Sequence, residues 1–385
     1  MTTDHPRMYF KPGPPTTFNA SPDPTLLAFH QRLPGYAPTP LVRAPHLAAA
    51  LDVREVWVKN EANRLGLPAY KILGASWAVY RELETRHGPF TPWNTLVELS
   101  AQLQAHLPLT LVTATDGNHG RAVARMAHWL GLDAHILVPE DMVPARIQAI
   151  EAEGARVDVI HGTYDEAVAA AARLADARHL VISDTAWEGY ERVPGWVVEG
   201  YGTIFQEIDQ QLAQQGGQQP EVVAAQMGVG SLAMAVIQHY RAPGRATHVV
   251  GVEPTRAACV LHSLEAGKLT EVPGPHASIM AGLNCGNTSP LAWPYLQGGL
   301  SASIAISDGQ AKEAMRLLAQ DGVVSGESGA AGAGGLLALL RHEDAANTRA
   351  WLGLTPESTV LVISTEGATD PQAYARIVQA GPDHA

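Results

Sequence analysis

Short apolar runs alternate along this chain with longer stretches in which apolar residues recur every three or four positions. VREVWVK (53–59), LTLVTAT (109–115), DAHILVP (133–139), ARVDVI (155–160), HLVISD (179–184), EVVAAQM (221–227), THVVGVEP (247–254) and STVLVIST (358–365) are rich in β-branched residues and predict strands. Between them GRAVARMAHWLG, PARIQAIEAEG, YDEAVAAAARLADAR, SLAMAVIQHY and GQAKEAMRLLAQDG carry helical spacing. Several of the strands are apolar almost throughout, as strands are when helices cover both faces of a parallel sheet. The alternation predicts an α/β protein. RHGPFTPWNTLVE (86–98) reads as an irregular excursion and QQLAQQGGQQPE (210–221) as a polar surface connection. Neither is a long flexible linker, so two domains, if present, should share a tight interface.

Composition narrows the setting. The 385 residues are 46% hydrophobic and 17% charged, which suits one large globular domain or two coupled ones. The formal net charge is −12 and no Lys/Arg-rich run occurs, so neither nucleic acid nor an anionic membrane is an expected partner. The first residues, MTTDHPRMYFKPGPPTTFNASPDP, lack a signal peptide's apolar region and predict a Pro-rich arm on the surface. GAAGAGGLLALL is too short to span a bilayer. The two cysteines, Cys259 and Cys285, predict buried thiols in a cytoplasmic protein, with a bridge between them as the alternative. The sixteen histidines fall in no metal-ligand pattern.

The chemistry gathers at strand ends. LTLVTAT runs into DGNHG (116–120) and EVVAAQM into GVGS (228–231), each followed by a helix. Helix N-termini at the carboxyl ends of parallel strands offer unpaired amides and positive dipole to anions. DGNHG could also be a simple Asp-capped helix start. GVGSLA fits a dinucleotide fingerprint too, with Glu253 ending the next strand 23 residues after Gly230 (253 − 230), which leaves a nicotinamide-dependent oxidoreductase open. ISTEGATD (363–370) and SGESGAAG (325–332) add glycines and hydroxyls late in the chain. Lys71 arbitrates. It stands among Pro68, Ala69, Tyr70, Ile72, Leu73 and Gly74, where desolvation would lower its pKa and make it a nucleophilic amine. The plainer alternative is a lysine that extends its head to water. Pyridoxal 5′-phosphate (PLP) would use all the pieces: a lysine for its aldehyde, a glycine turn for its phosphate and a hydroxyl for its ring nitrogen.

Taken in order, KILGAS, ATDGNHGRAVA, QMGVGS, IMAGLNCG, SGESGAAG and ISTEGATDP resemble the diaminopropionate ammonia-lyase family of the fold type II PLP enzymes. The resemblance runs from LPGYAPTPL (33–41) to TDP (369–371). It implies two αβα-sandwich domains of parallel or mixed sheets with the cofactor in the cleft. The larger, phosphate-binding domain would span about 1–75 and 201–385, and a smaller mobile one about 76–200. It implies that Lys71 holds the PLP aldehyde and Asn118 the 3′-oxygen. Gly228, Val229, Gly230 and Ser231 would take the phosphate, and Ser364 or Thr365 would face the ring nitrogen. Thr115, Asp116, Gly117, Asn118 and His119 would bind an amino-acid substrate. Dehydratase relatives carry a small hydroxyl residue where this chain has Asp116. With Asp184, that makes two carboxylates around one site, which favours a substrate with an added positive charge such as 2,3-diaminopropionate. Serine/threonine dehydration and a non-catalytic amino-acid-binding regulator are the alternatives, and a homodimer is implied. Pro68 and Tyr70 depart from the family's usual residues at the pocket wall.

Overall fold

The computed structural model describes residues 7–19, 23–115 and 117–380. Eleven strands occur among them: β1 (Met8–Phe10), β2 (Leu41–Arg43), β3 (Glu55–Asn60), β4 (Thr110–Ala114), β5 (Asp133–Pro139), β6 (Arg156–Ile160), β7 (His179–Val181), β8 (Val222–Gln226), β9 (His248–Pro254), β10 (Ala302–Ile306) and β11 (Thr359–Ser364). Each of the eight sequence-predicted strands is present. The other three escaped the pattern because β1 and β2 are only three residues long, and because ASIAI in β10 mixes Ala and Ser, poor strand formers, with isoleucine. The N-terminal arm is thus more than a surface strap. Met8–Phe10 pairs antiparallel with β10, Met8 opposite Ile304.

The strands form two sheets. One has seven strands in the order β1-β10-β9-β8-β11-β3-β2, parallel except at its two edges. The other has four, in the order β6-β5-β4-β7, all parallel. The inner strands β8 and β11 are buried along their whole length, which is why they read as unbroken apolar runs. No helix among the described residues is long and apolar enough to cross a membrane.

The chain divides into two units. One comprises the N-terminal arm with residues 38–63 and 204–380, and carries the seven-stranded sheet. The other comprises 23–37 and 64–203, and carries the four-stranded sheet. The expected division at 75/76 and 200/201 differs at one point that matters: the second unit takes in 64–75, and so Lys71. The reason lies in how the Lys71–His87 helix packs. A Cβ on Gly74 would lie 2.5 Å from Tyr201 and 2.7 Å from the Val197 carbonyl, and one on Gly200 would lie 2.5 Å from the Leu73 carbonyl. Two glycines therefore let this helix and the Arg192–Gly200 helix approach backbone to backbone. The predicted surface connection at 210–221 also needs correcting. A helix runs from Gly202 to Gln215, because Phe205, Ile208 and Leu212 line one face of it and are buried while the glutamines take the other.

Candidate active site

In the second unit Lys71 opens its helix, and its Nζ donates to Asp184 Oδ2 at 2.6 Å. Asp184 lies three residues beyond the end of β7. Tyr190 fixes that exit, its hydroxyl donating to the Val181 carbonyl at 2.6 Å and accepting from the Ser183 amide at 3.1 Å. The Trp187 ring stacks on Tyr190 with centroids 4.1 Å apart. The motif DTAWEGY is thus a carboxylate together with the aromatic clamp that aims it. Nothing in the string alone marked Tyr190 for this role.

The pair overturns one expectation. Burial does act to lower the Lys71 pKa, but the attraction of Asp184 outweighs it, and the amine is held well above its ordinary range. Burial likewise pushes Asp184 up, and the Lys71 charge wins, holding the carboxyl well below the usual carboxylate range. Lys71 looked alone only because its partner lies 113 residues away. The ring of Tyr70 is also near, its centroid 5.6 Å from Nζ.

His119 joins this group. Its Nε2 lies 2.7 Å from the Ile182 carbonyl, which can only accept, so Nε2 carries the proton. That leaves Nδ1 as a lone pair, buried without a hydrogen-bond partner among the described residues and 3.9 Å from Asp184 Oδ2. Burial holds the ring below its usual pKa, hence neutral at pH 7. Tyr164 Oη stands 3.5 Å from Asp184 Oδ1.

The turn that carries His119 is built by Thr115. This fully buried hydroxyl accepts from the Gly117 and Gly120 amides, both at 2.9 Å, and so is engaged in shaping the turn. Gly117 has φ +146, a region that L side chains rarely adopt. A Cβ on Gly120 would lie 2.3 Å from Thr115 Cγ2, so the helix start presses directly on the strand end. Asn118 is the first residue of the Asn118–Leu130 helix. Asp116 lies outside the described residues.

The first unit holds the remaining predicted residues. Strand β8 ends at Gln226, and Met227, Gly228, Val229 and Gly230 lead into the ten-residue helix Ser231–Tyr240. The Val229 carbonyl accepts from the Ser289 amide at 2.9 Å. Gly230 has φ +99, and a Cβ there would come within 2.6 Å of Leu296. Gly230→Val should therefore destabilise the protein by roughly 1–2 kcal/mol from backbone conformation alone, and should also release PLP. Thermal melts with and without PLP separate the two effects. A variant that melts lower but keeps wild-type PLP affinity removes Gly230 from the phosphate site.

At the neighbouring strand end Ser364 Oγ, fully buried, donates to Ser325 Oγ at 2.8 Å. Thr365 Oγ1 instead receives the Gln226 side-chain amide at 2.9 Å. The donor set here is neutral: helix-start amides at the glycine turn and hydroxyls at the next strand. That chemistry fits a phosphate and a pyridine lone pair.

The dinucleotide alternative fails in the same unit. Glu253 is fully buried, and its carboxylate accepts from the Val260 and Leu261 amides, both at 2.8 Å. It caps the Cys259–Ala266 helix and offers nothing to a ribose. Burial pushes it up to about 8 against those amides. Cys259 and Cys285 are both buried thiols outside any disulfide. They close on the same glycine. Cys259 Sγ donates to the Gly228 carbonyl at 3.7 Å, and Cys285 Sγ stands 3.1 Å from where a Gly228 Cβ would be.

Residues 32–365 match the model of the pyridoxal-phosphate-dependent enzyme family. The diaminopropionate ammonia-lyase of Escherichia coli K12 is 36% identical over 362 residues, 92% of this chain and 90% of that one. Its counterpart in Salmonella typhimurium is 37% identical over 376 residues, 92% and 91% of the two chains. A biosynthetic L-threonine dehydratase of Mycobacterium leprae is 26% identical over 355 residues, 90% and 72% of the two. The crystal structure of the E. coli lyase with an aminoacrylate–PLP azomethine reaction intermediate superposes with a TM-score of 0.84 at 33% identity, covering 98% of this chain and 97% of that one. The fold is that of a fold type II PLP-dependent enzyme. Within that class the chain belongs to the diaminopropionate ammonia-lyase family.

Proposed function

We propose that this enzyme eliminates the β-amino group of 2,3-diaminopropionate, consuming one water and giving pyruvate and two ammonia. The observation that carries this reading is the 2.6 Å contact between Lys71 and Asp184. It supplies an amine to react and, beside it, a carboxylate able to hold a second cation. Lys71 would hold PLP through its aldehyde at rest, and PLP would supply an electron sink that acidifies the substrate α-proton once the substrate amine has taken the lysine's place.

Everything else is the work of this chain. The turn from Thr115 to His119, at the start of the Asn118–Leu130 helix, would hold the substrate carboxylate. Lys71, once displaced by the substrate, is a free amine able to take the α-proton from one face, and Asp116 is assigned to the other. Asp184 holds the β-ammonium, and His119 Nδ1, a lone pair with no hydrogen-bond partner among the described residues, is a second acceptor for it. The β-amine departs as ammonia, and water converts the resulting 2-aminoacrylate to pyruvate and the second ammonia. Asn118 receives the PLP 3′-oxygen, Gly228, Val229, Gly230 and Ser231 the phosphate, and one of Ser364 and Thr365 the ring nitrogen. The proposal extends to a homodimer acting in the cytoplasm; that Cys259 and Cys285 form no disulfide suits the compartment.

Pyruvate release from D- and L-diaminopropionate, serine and threonine tests the reading. Diaminopropionate should turn over fastest. A wild-type preference for serine or threonine would move the protein to the dehydratases.

A further inference from the structure

We infer that Gln226 is a positioning residue that makes the Thr365 hydroxyl a hydrogen-bond donor toward the PLP ring nitrogen; this rests on the reading of the site as a PLP site. The side-chain amide of Gln226 is almost fully buried at the end of β8. Its Nε2 lies 2.9 Å from the Ile363 carbonyl, 3.1 Å from the Gly329 carbonyl and 3.2 Å from the Ser328 carbonyl. Carbonyl oxygens only accept, so the end of the amide that meets them is its NH₂. The same nitrogen lies 2.9 Å from Thr365 Oγ1. An amide nitrogen has no lone pair to accept with, so Thr365 Oγ1 can meet it only as an acceptor, and the hydroxyl's own proton has to go elsewhere.

Ser364 does not compete for the role. Its hydroxyl is fully buried and donates to Ser325. Side chains alternate between faces along a strand, so the residue next to Ser364 is directed to the other side. Thr365 follows β11 immediately, and β11 runs parallel to β8, the strand that feeds the GVGS turn. One side chain thus links the strand carrying the phosphate turn to the hydroxyl at the neighbouring strand end. Gln226 Oε1 is meanwhile buried without a partner among the described residues. The amide is therefore kept for its NH₂ end, which meets those three carbonyls and the Thr365 hydroxyl.

A hydroxyl held as a donor requires an acceptor, and a pyridine nitrogen accepts only while unprotonated. The ring nitrogen should therefore stay neutral in the loaded enzyme. The test uses holoenzyme carrying PLP labelled with ¹⁵N in the ring. The wild-type resonance should fall in the range of an unprotonated, hydrogen-bonded pyridine. Thr365→Val should move it toward the free pyridine position and weaken PLP binding about five- to tenfold, the range for one neutral hydrogen bond. Gln226→Leu should shift it the same way, and in the Thr365→Val background should change neither the resonance nor the PLP affinity further. Thr365→Ser, whose hydroxyl the amide still orients, should keep the wild-type position.

A pyridinium resonance in the wild type overturns the inference. So does a Gln226→Leu protein that melts lower while its ring resonance stays put, or a Thr365→Ser resonance that matches valine. Should Gln226→Leu fail to fold, the wild-type resonance and the serine–valine pair still decide. Failure of the PLP reading is distinct, because the wild type would then bind no PLP and show no cofactor absorption at all.

Discussion

Lys71→Ala protein supplied with PLP will release no measurable pyruvate from either enantiomer of diaminopropionate. Loss of one general base costs about 10²–10⁴-fold, and this lysine is also the residue proposed to anchor the PLP aldehyde, so the loss should exceed the upper figure. Borohydride reduction of the wild type followed by peptide mass spectrometry should place the pyridoxyl adduct on Lys71. An adduct on Lys59, Lys268 or Lys312 would sink the assignment. Lys59 is a poor rival, because its fully buried Nζ is already held by Glu207 at 2.7 Å, Gln211 at 2.9 Å and the Thr39 carbonyl at 2.9 Å.

The variant will not be structurally silent, because the lysine leaves Asp184 behind. Breaking a buried pair by removing one partner typically costs about 3–5 kcal/mol. The sign with pH follows from the shifts. In the wild type the Asp184 carboxyl is held below its unfolded value, so its contribution is present above about pH 4 and lost as pH falls. In Lys71→Ala burial acts on Asp184 without the lysine charge, and its folded pKa rises above the unfolded one. The variant should then be relatively most stable in mild acid and lose stability as pH climbs toward neutrality. Adding Asp184→Asn should recover part of the loss at pH 7. Denaturant melts of the apo-proteins at several pH values check this. A Lys71→Ala curve parallel to wild type would mean that the pair carries no stability.

Much of this was legible in the sequence, for identifiable reasons. Both glycine turns stand where strands become helices, and a short apolar run giving way to apolar spacing of three or four marks such a junction even without tertiary information. Gly230, with its positive φ, is the residue type that such a turn demands. The Lys71–Asp184 pair was not legible as a pair, although both residues had been singled out. Burial is visible in a local string, but a partner 113 residues away is not, and the direction of the lysine's pKa therefore came out reversed. Glu253 misled in the opposite way. Its spacing suited a ribose, yet it serves the first amides of the next helix, a use that any buried acid ending a strand can have. The short edge strands β1 and β2 carry too few residues for any period to register.

The two aspartates should separate cleanly in kinetics. Asp116 opens the DGNHG motif, directly before Gly117 in sequence, and is proposed as a base there on the family resemblance. If it serves one face of the α-carbon while Lys71 serves the other, Asp116→Asn should depress turnover of D-diaminopropionate by about 10²–10⁴-fold. L-Diaminopropionate, deprotonated by Lys71, should lose far less. Asp184→Asn should behave differently, because this carboxylate meets both the lysine and the proposed β-ammonium. Both enantiomers should suffer, through KM as well as kcat. Serine, whose leaving group carries no charge, should lose only the smaller part that comes from an unpaired Lys71. The informative measurement is therefore kcat and KM for both variants on D-diaminopropionate, L-diaminopropionate and D-serine under one set of conditions. An enantiomer-blind Asp116→Asn removes it as a base. An Asp184→Asn loss as deep on serine as on diaminopropionate makes Asp184 a partner of Lys71 alone, and the added charge of the substrate must then be recognised elsewhere.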